Sequence, residues 1–214
     1  MDFDLTEAAR DLAALTRELA QSGRPLWPAL DEAGVLAATL PKDAGGEGLG
    51  LIEQCAILTE LGRHAEAERF LDTIAPAGTP AHTTVGIAAA QLGVVERALE
   101  MTAAYARTRV QFGRPIGSFQ AVSQRLADAW IDVEALRLAT WQAAYRPEPD
   151  TVATAGFWAA EAGHRVLHTA VHVHGGAGLD LEHPLHRYYL AAERLEFRLG
   201  GATAQLLALG EALP

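Results

Sequence analysis

Apolar side chains recur every three or four positions along most of this 214-residue chain, a spacing that places them on one face of an α-helix. Runs of alternating apolar and polar residues rich in β-branched side chains, which are typical of strands, are absent. Hydrophobic residues make up 50% of the chain, so the helices can bury a sizeable core. The sequence therefore predicts an all-α protein.

Glycines and prolines interrupt this pattern and mark where the helices end. The expected helices cover approximately residues 3–21, 26–33, 51–70, 81–109, 118–145, 151–174 and 186–212. The last of them contains Gly200–Gly201, a candidate site for a kink. Short loops join the four long helices that follow residue 80, which predicts an antiparallel four-helix bundle. A small N-terminal helical segment precedes the bundle.

Two domains are expected, with residues 1–75 in an N-terminal helical domain and residues 79–214 in the bundle. Pro76, Gly78 and Pro80 mark the boundary between them. In the first domain, residues 40–50 carry four glycines within six positions, so this segment is expected to form a loop.

The acidic balance of the sequence excludes several classes of partner. The formal net charge is −10, which leaves no basic surface for nucleic acid. No apolar run approaches the roughly 20 residues that a membrane span needs, and the N-terminus is acidic where a signal peptide is basic. Cys55 is the only cysteine, which excludes an internal disulfide or a thiolate metal cluster. We therefore expect a soluble, cytoplasmic protein.

Two sequence blocks carry a specific resemblance. Residues 105–120 read YARTRVQFGRPIGSFQ, and the glycine block at 172–178 reads HVHGGAG, followed by HPLHRY at 183–188. Together with LPKDAGGEGLG at 40–50 and LTELGR at 58–63, they resemble the acyl-CoA dehydrogenase family. The resemblance covers most of the chain. It implies a flavoprotein fold in which the four-helix bundle of one subunit holds the FAD of its neighbour across an interface.

The resemblance also implies which residues contact the cofactor. The expected FAD-binding residues are Arg109, Gln111, Phe112, Gln120, His172, Gly175 and Gly176. The first four would contact the adenine and the pyrophosphate, and the two glycines would let the backbone approach the diphosphate. A guanidinium suits a pyrophosphate because it donates two charge-assisted hydrogen bonds, and a phenyl ring offers an apolar face to a base. The alternative is that Arg109 caps a helix end and Phe112 is part of the core.

The sequence departs from the family in two respects. A family member of ordinary length carries a middle β-domain that packs against the flavin ring, and no strand-patterned segment is found in this chain. The family also needs a carboxylate to remove the α-proton of the thioester. The corresponding stretch, residues 198–205, contains no acid, Glu196 lies at least three residues away, and the alternative family position aligns with Thr83. We therefore predict no catalytic residue in this chain.

Histidines on one helix offer a second constellation. Glu161, His164, His168 and His172 recur at three- and four-residue spacing. A di-iron bundle site would need a second Glu-x-x-His motif, which is absent, so no metal site is expected. His174, His183 and His186 surround the glycine block, where they either meet a diphosphate or a substrate or act as loop and cap residues.

Two functions follow from different classes. The first is an acyl-CoA dehydrogenase-like subunit that completes the FAD site of a full-length partner, which holds the acyl-CoA. The resemblance points to a hetero-oligomer, as some family members of the steroid side-chain type are. The second is a flavin-free helical homo-oligomer with a structural role or with an acyl-CoA-like ligand.

Overall fold

The computed structural model describes residues 5–75 and 80–212. Most of the described residues lie in α-helices. Their bounds are α1 Glu7–Gln21, α2 Leu26–Glu32, α3 Leu51–Arg63, α4 Leu71–Ile74, α5 Pro80–Thr108, α6 Gln120–Tyr145, α7 Pro149–His174, α8 Leu185–Leu199 and α9 Gly201–Ala212. Short 3-10 turns lie at Lys42–Ala44, Ala67–Arg69, Ile116–Ser118 and Gly175–Leu179. The prediction of an all-α protein is confirmed.

The helices α5, α6 and α7 and the successive pair α8 and α9 form the predicted four-helix bundle. Helix α7 packs against α5, α6, α8 and α9, and α5 also contacts α6 and α8. Buried alanines such as Ala88 in α5 and Ala159 in α7 let the two helices approach closely. None of the helices within the described ranges is long and apolar enough to cross a membrane.

One short hairpin interrupts the helices. Strands β1 (Val110–Gln111) and β2 (Arg114–Pro115) pair antiparallel, with Gln111 opposite Arg114. The described ranges contain no other strand and no β-barrel. Two-residue strands are too short to produce an alternating pattern, which is why the sequence did not show them.

The N-terminal helices pack directly on the bundle. Helix α3 lies along α5, and glycines form the contact. A Cβ added at Gly93 would lie 1.9 Å from the Thr59 carbonyl oxygen, and one added at Gly62 would lie 2.1 Å from the Ala90 carbonyl oxygen. The two backbones therefore touch. The expected domain boundary falls on residues 76–79, which lie outside the described residues, and it stays a prediction.

The predicted helix over residues 51–70 is wrong beyond Arg63. Helix α3 ends at Arg63, and a 3-10 turn and the short α4 follow. Ala65 adopts a left-handed backbone conformation with φ of 56°. The Glu66 N–H donates to the Leu61 carbonyl and the Ala65 N–H to that of Gly62, which is the Schellman arrangement that ends many helices. Glycine usually occupies this position, so an alanine there gave no stop signal.

The remaining boundaries differ in smaller ways. The Thr6 hydroxyl accepts a hydrogen bond from the Ala9 N–H at 3.0 Å, so α1 starts at Glu7, and residues 3 and 4 of the predicted helix lie outside the described residues. At Gly200–Gly201 the helix breaks into α8 and α9, because both glycines have positive φ, 75° and 79°.

Candidate functional site

The hairpin after α5 presents an aromatic side chain to solvent. Phe112 and Gly113 are the two central residues of its turn, with φ of 52° and 79°. Positive φ at both central positions matches the twist of a two-residue hairpin, and asparagine or glycine usually occupies the first. A bulky residue there costs on the order of 1–3 kcal/mol. The Phe112 side chain is 92% exposed, so it is not part of the core.

The base of the hairpin is tied to α6 by rings. The Phe112 ring meets Phe119 edge-on at 6.1 Å between centroids, and the Arg114 guanidinium lies 4.1 Å from the centre of the Phe119 ring. The Ile116 N–H donates to the Arg109 carbonyl at 2.8 Å. These contacts fix the hairpin while the outer face of Phe112 stays open.

A groove of about 280 Å³ runs beside the hairpin toward α7. Its lining residues are Gln111, Phe112, Ile116, Phe119, Ala121, Val122, Arg125, His172 and Val173. The structure thus brings together three of the expected cofactor-binding residues, from elements far apart in sequence. Arg109 and Gln120 are exposed nearby, at the two ends of the segment that joins α5 to α6, but they do not line the groove.

The glycine block follows directly on α7. Gly175 ends the helix with φ of 60° and ψ of −138°, a conformation that favours glycine. A Cβ added at Gly175 or Gly176 would meet no atom within 4 Å, so the backbone here is open to solvent. The two glycines leave room for a ligand to approach the main chain.

His174 locks the end of α7 to the end of α5. Its side chain is only 4% exposed and stacks on Tyr105 at 4.4 Å, and its Nδ1 lies 2.8 Å from the Ala170 carbonyl oxygen. His183 meets it edge-on at 4.9 Å, and the Nδ1 of His183 accepts a hydrogen bond from the Leu185 N–H at the start of α8. Of the two roles left open for these histidines, the geometry favours packing and capping.

The burial of His174 predicts a pH-dependent stability. Burial lowers its pKa, opposed by the Ala170 carbonyl. The unfolded chain, with a pKa near 6.5, therefore takes up the proton first, so stability is full above about pH 7 and falls as the pH drops through 6.5. Replacing His174 with Phe keeps an aromatic ring stacked on Tyr105 but removes the titratable imidazole. We expect a smaller loss of the urea midpoint between about pH 7.5 and pH 5.5.

His64 contributes to the same pH dependence and is present in both proteins. Burial lowers its pKa as well, so part of the pH dependence remains in both proteins. If the urea midpoint falls by the same amount in His174→Phe and in the original chain, His174 does not cause the pH dependence.

Arginines without carboxylate partners are concentrated in the part of the sequence that contains the hairpin. Most arginines form ion pairs with Asp or Glu, for example Arg17 with Glu60. Within residues 5–75 and 80–212, those without such a pair are Arg10, Arg107, Arg109, Arg114 and Arg125. All but Arg10 lie between the end of α5 and the first turns of α6. We call these four residues, which are neighbours in the chain, the arginine patch; Arg114 and Arg125 contact or line the groove beside the hairpin, whereas Arg107 lines a separate cavity beside α5. A cation without an ion-pair partner is available to an anionic ligand.

The expected histidine face of α7 is present, because His164, His168 and His172 line one cavity of about 590 Å³ together with residues of α6. His172 lines the groove beside the hairpin, whereas Glu161 interacts with Arg165 at 3.7 Å. His164 and His168 turn toward α8, where the Nδ1 of His164 lies 3.6 Å from a carboxylate oxygen of Glu196. The carboxylate of Glu196 therefore faces α7.

Family models match almost the whole chain. The model described as "Acyl-CoA dehydrogenase, N-terminal domain" matches residues 5–91, and that described as "Acyl-CoA dehydrogenase, C-terminal domain" matches residues 78–213. The acyl-CoA dehydrogenase FadE27 of Mycobacterium tuberculosis is 35% identical, in an alignment that covers 100% of this chain and 99% of FadE27. That alignment runs over 368 residues, so a stretch of FadE27 has no counterpart in this shorter chain.

Solved structures give the same result. The ChsE4–ChsE5 complex of Mycobacterium tuberculosis matches with a TM-score of 0.88 and 34% identity, covering 99% of this chain and 98% of the matched one. The Tcur3481–Tcur3483 steroid ACAD G363A variant matches with a TM-score of 0.83 and 26% identity, covering 98% of both chains. Several other curated relatives align with about half of this chain or a little more, which is only about a third of their own length.

Proposed function

Because this chain belongs to the acyl-CoA dehydrogenase family, we propose that it is a subunit that completes the FAD site of a full-length acyl-CoA dehydrogenase partner and supplies no catalytic carboxylate itself. The single observation that carries the proposal is the arginine patch beside the exposed Phe112. A pyrophosphate needs cations that no carboxylate neutralises, and a base needs an open apolar face.

The residues at the hairpin fit such a cofactor. The Arg109 guanidinium has no side-chain partner among the described residues, so it is free to bind the pyrophosphate. Gln111 and Gln120 offer amide donors and acceptors, Phe112 offers its ring to the adenine, and His172 adds a ring nitrogen from α7. The Gly175 N–H already donates to the His172 carbonyl, so the contribution of Gly175 and Gly176 would be an open backbone that lets the diphosphate approach closely.

Every one of these seven groups is exposed, and this supports a shared site. A subunit that enclosed FAD by itself would need a wall around the isoalloxazine ring, and the described ranges contain no β-domain to form it. The bound FAD would accept the hydride from the β-carbon of the acyl thioester. This chain's residues would hold the adenine end, and the partner would supply the ring pocket, the acyl-CoA site and the carboxylate that removes the α-proton.

The relatives favour a partner of a different sequence. Two of the similar structures are named as pairs, ChsE4–ChsE5 and Tcur3481–Tcur3483, and the second is called a steroid ACAD. By this analogy we propose a hetero-oligomer whose substrate is the CoA thioester of a steroid side chain.

Co-expression with a full-length acyl-CoA dehydrogenase subunit tests the proposal. We expect the complex to be yellow, with the absorption bands of oxidised flavin, and the purified lone chain to be colourless, because half of the site is missing. The partner expressed alone is the control and should hold much less flavin than the complex. A lone chain that binds FAD stoichiometrically would contradict the proposal. Formation of a stable flavin-free homo-oligomer that ignores the partner would favour the alternative function instead.

A further inference from the structure

Three side chains with metal-binding groups converge between α7 and α8. The ligand atoms of His164, His168 and Glu193 all lie within 4.8 Å of one another. No other set of three His, Cys, Asp or Glu residues within the described ranges meets this condition. Glu193 comes from α8, which does not line the groove beside the hairpin, whereas His164 and His168 line a neighbouring cavity that shares Arg125 and His172 with that groove.

The helical framework explains the convergence. His164 and His168 are four residues apart on α7, so their rings lie one above the other, 4.4 Å between centroids. Helix α8 packs against α7 and presents Glu193 to the same pair. Glu196, one turn further along α8, places a carboxylate oxygen 3.6 Å from the Nδ1 of His164.

The charges around this cluster are arranged for a cation. The two arginines next to it in sequence are directed elsewhere: Arg165 pairs with Asp132 at 3.1 Å, and Arg194 pairs with Glu68 at 3.1 Å. Neither neutralises Glu193 or Glu196. The carboxylates of Glu193 and Glu196 thus have no arginine partner among the described residues, and a divalent cation can balance their negative charge.

We propose that His164, His168 and Glu193 bind a Zn²⁺ ion, with Glu196 as a positioning residue. Imidazole and carboxylate together suit zinc and its neighbours better than Mg²⁺ or Ca²⁺, which prefer oxygen ligands alone. Glu196 would accept the N–H of His164 Nδ1 and so direct Nε2 to the metal, as carboxylates often do behind zinc-bound histidines.

The distances require only side-chain movement. Ligand atoms around a tetrahedral zinc lie roughly 3.4 Å apart, as bonds of about 2.1 Å imply. Both histidines are exposed, so rotation of their side chains can close the gap without a shift of either helix. Three protein ligands leave one position for water, and the bound ion would fasten α8 to α7.

Titration of the full chain with ZnCl₂, monitored by isothermal titration calorimetry, tests the site. We expect one Zn²⁺ per chain, and Co²⁺ in its place should show the visible bands of a tetrahedral complex. His168→Ala and Glu193→Gln should each weaken binding more than tenfold, and Glu196→Gln by about tenfold to a hundredfold. Zn²⁺ should raise the melting temperature of the original chain but not that of His168→Ala.

His82→Ala is the matched control, because His82 lies on α5, outside the cluster, and this variant should bind Zn²⁺ as the original chain does. Unchanged affinity in Glu193→Gln would mean that the histidine pair alone chelates the ion, and it would overturn the three-ligand site. Absence of stoichiometric binding in the original chain would overturn the proposal outright. None of these measurements depends on FAD or on a partner subunit.

Discussion

An Arg109→Ala variant is expected to form the complex with its partner but to lose most of the flavin. Arg109 is exposed and has no side-chain partner among the described residues, so its removal should change the stability of the chain by less than about 0.5 kcal/mol. Hydrogen bonds to a charged group contribute about 1.5–3 kcal/mol each. The loss of a guanidinium from a pyrophosphate should therefore weaken FAD binding about tenfold to a hundredfold.

The measurement is the ratio of flavin to protein after gel filtration of the co-expressed complex, followed by titration of the apo-complex with FAD. Arg10→Ala is the matched control, because Arg10 also lacks a carboxylate partner within the described ranges but lies on α1, far in sequence from the arginine patch. Arg109→Lys should retain part of the affinity, since it keeps the charge without the two-pronged geometry. Equal flavin content in Arg10→Ala and Arg109→Ala would remove Arg109 from the site.

The second large effect concerns stability. In Gly93→Ala the new methyl group would lie 1.9 Å from the Thr59 carbonyl oxygen and 2.8 Å from the Arg63 nitrogen, both backbone atoms of α3. Neither atom can move without the helix, so α3 and α5 must separate. Overpacking of this kind costs about 3 kcal/mol or more, which corresponds to a decrease in melting temperature of roughly 6–12 °C for a chain of this size.

Gly210→Ala provides the comparison. A Cβ at Gly210, in the exposed part of α9, would meet nothing within 4 Å, and alanine has the higher helix propensity. This variant should be unchanged or up to about 0.5–1 kcal/mol more stable. Chemical denaturation followed by circular dichroism measures both. Similar midpoints for the two variants would show that α3 can move away from α5 without loss.

Helical periodicity predicted the architecture because apolar residues recur at helical spacing along most of the long helices, and this pattern is visible in the sequence. The middle of α5, residues 85–95, is buried on every side and shows no such stripe. The sequence was less informative about where the helices end. Gly200–Gly201 was recognised as a weak point, but whether two glycines bend or break a helix depends on the φ values that packing imposes. Ala65 shows the opposite case, because an alanine in the position usually taken by glycine gives no local warning that α3 ends.

The candidate cofactor residues came from the resemblance and not from spacing, and their role in binding FAD stays a prediction. The structure places Gln111 and Phe112 beside His172, although His172 lies about 60 positions further along the chain. The metal cluster illustrates the limit. The spacing of His164 and His168 was apparent, but Glu193 joins them only through the packing of α8 on α7, which no spacing within α7 reveals. The sequence could not reveal the arginine patch either. The patch is defined by the absence of ion pairs, and ion pairing depends on which carboxylates the fold brings near each arginine.

The turn at Phe112 has an entropic consequence. Its backbone conformation is uncommon for a bulky residue, yet the strand pairing and the ring contact with Phe119 already hold it. A loop that becomes ordered only on binding loses conformational freedom at that moment, and the affinity falls accordingly. In this chain the hairpin loses its conformational freedom when the protein folds, before any ligand binds. A ligand that contacts Phe112 therefore binds to a loop that is already ordered. The entropy cost of ordering the loop does not reduce the affinity for that ligand.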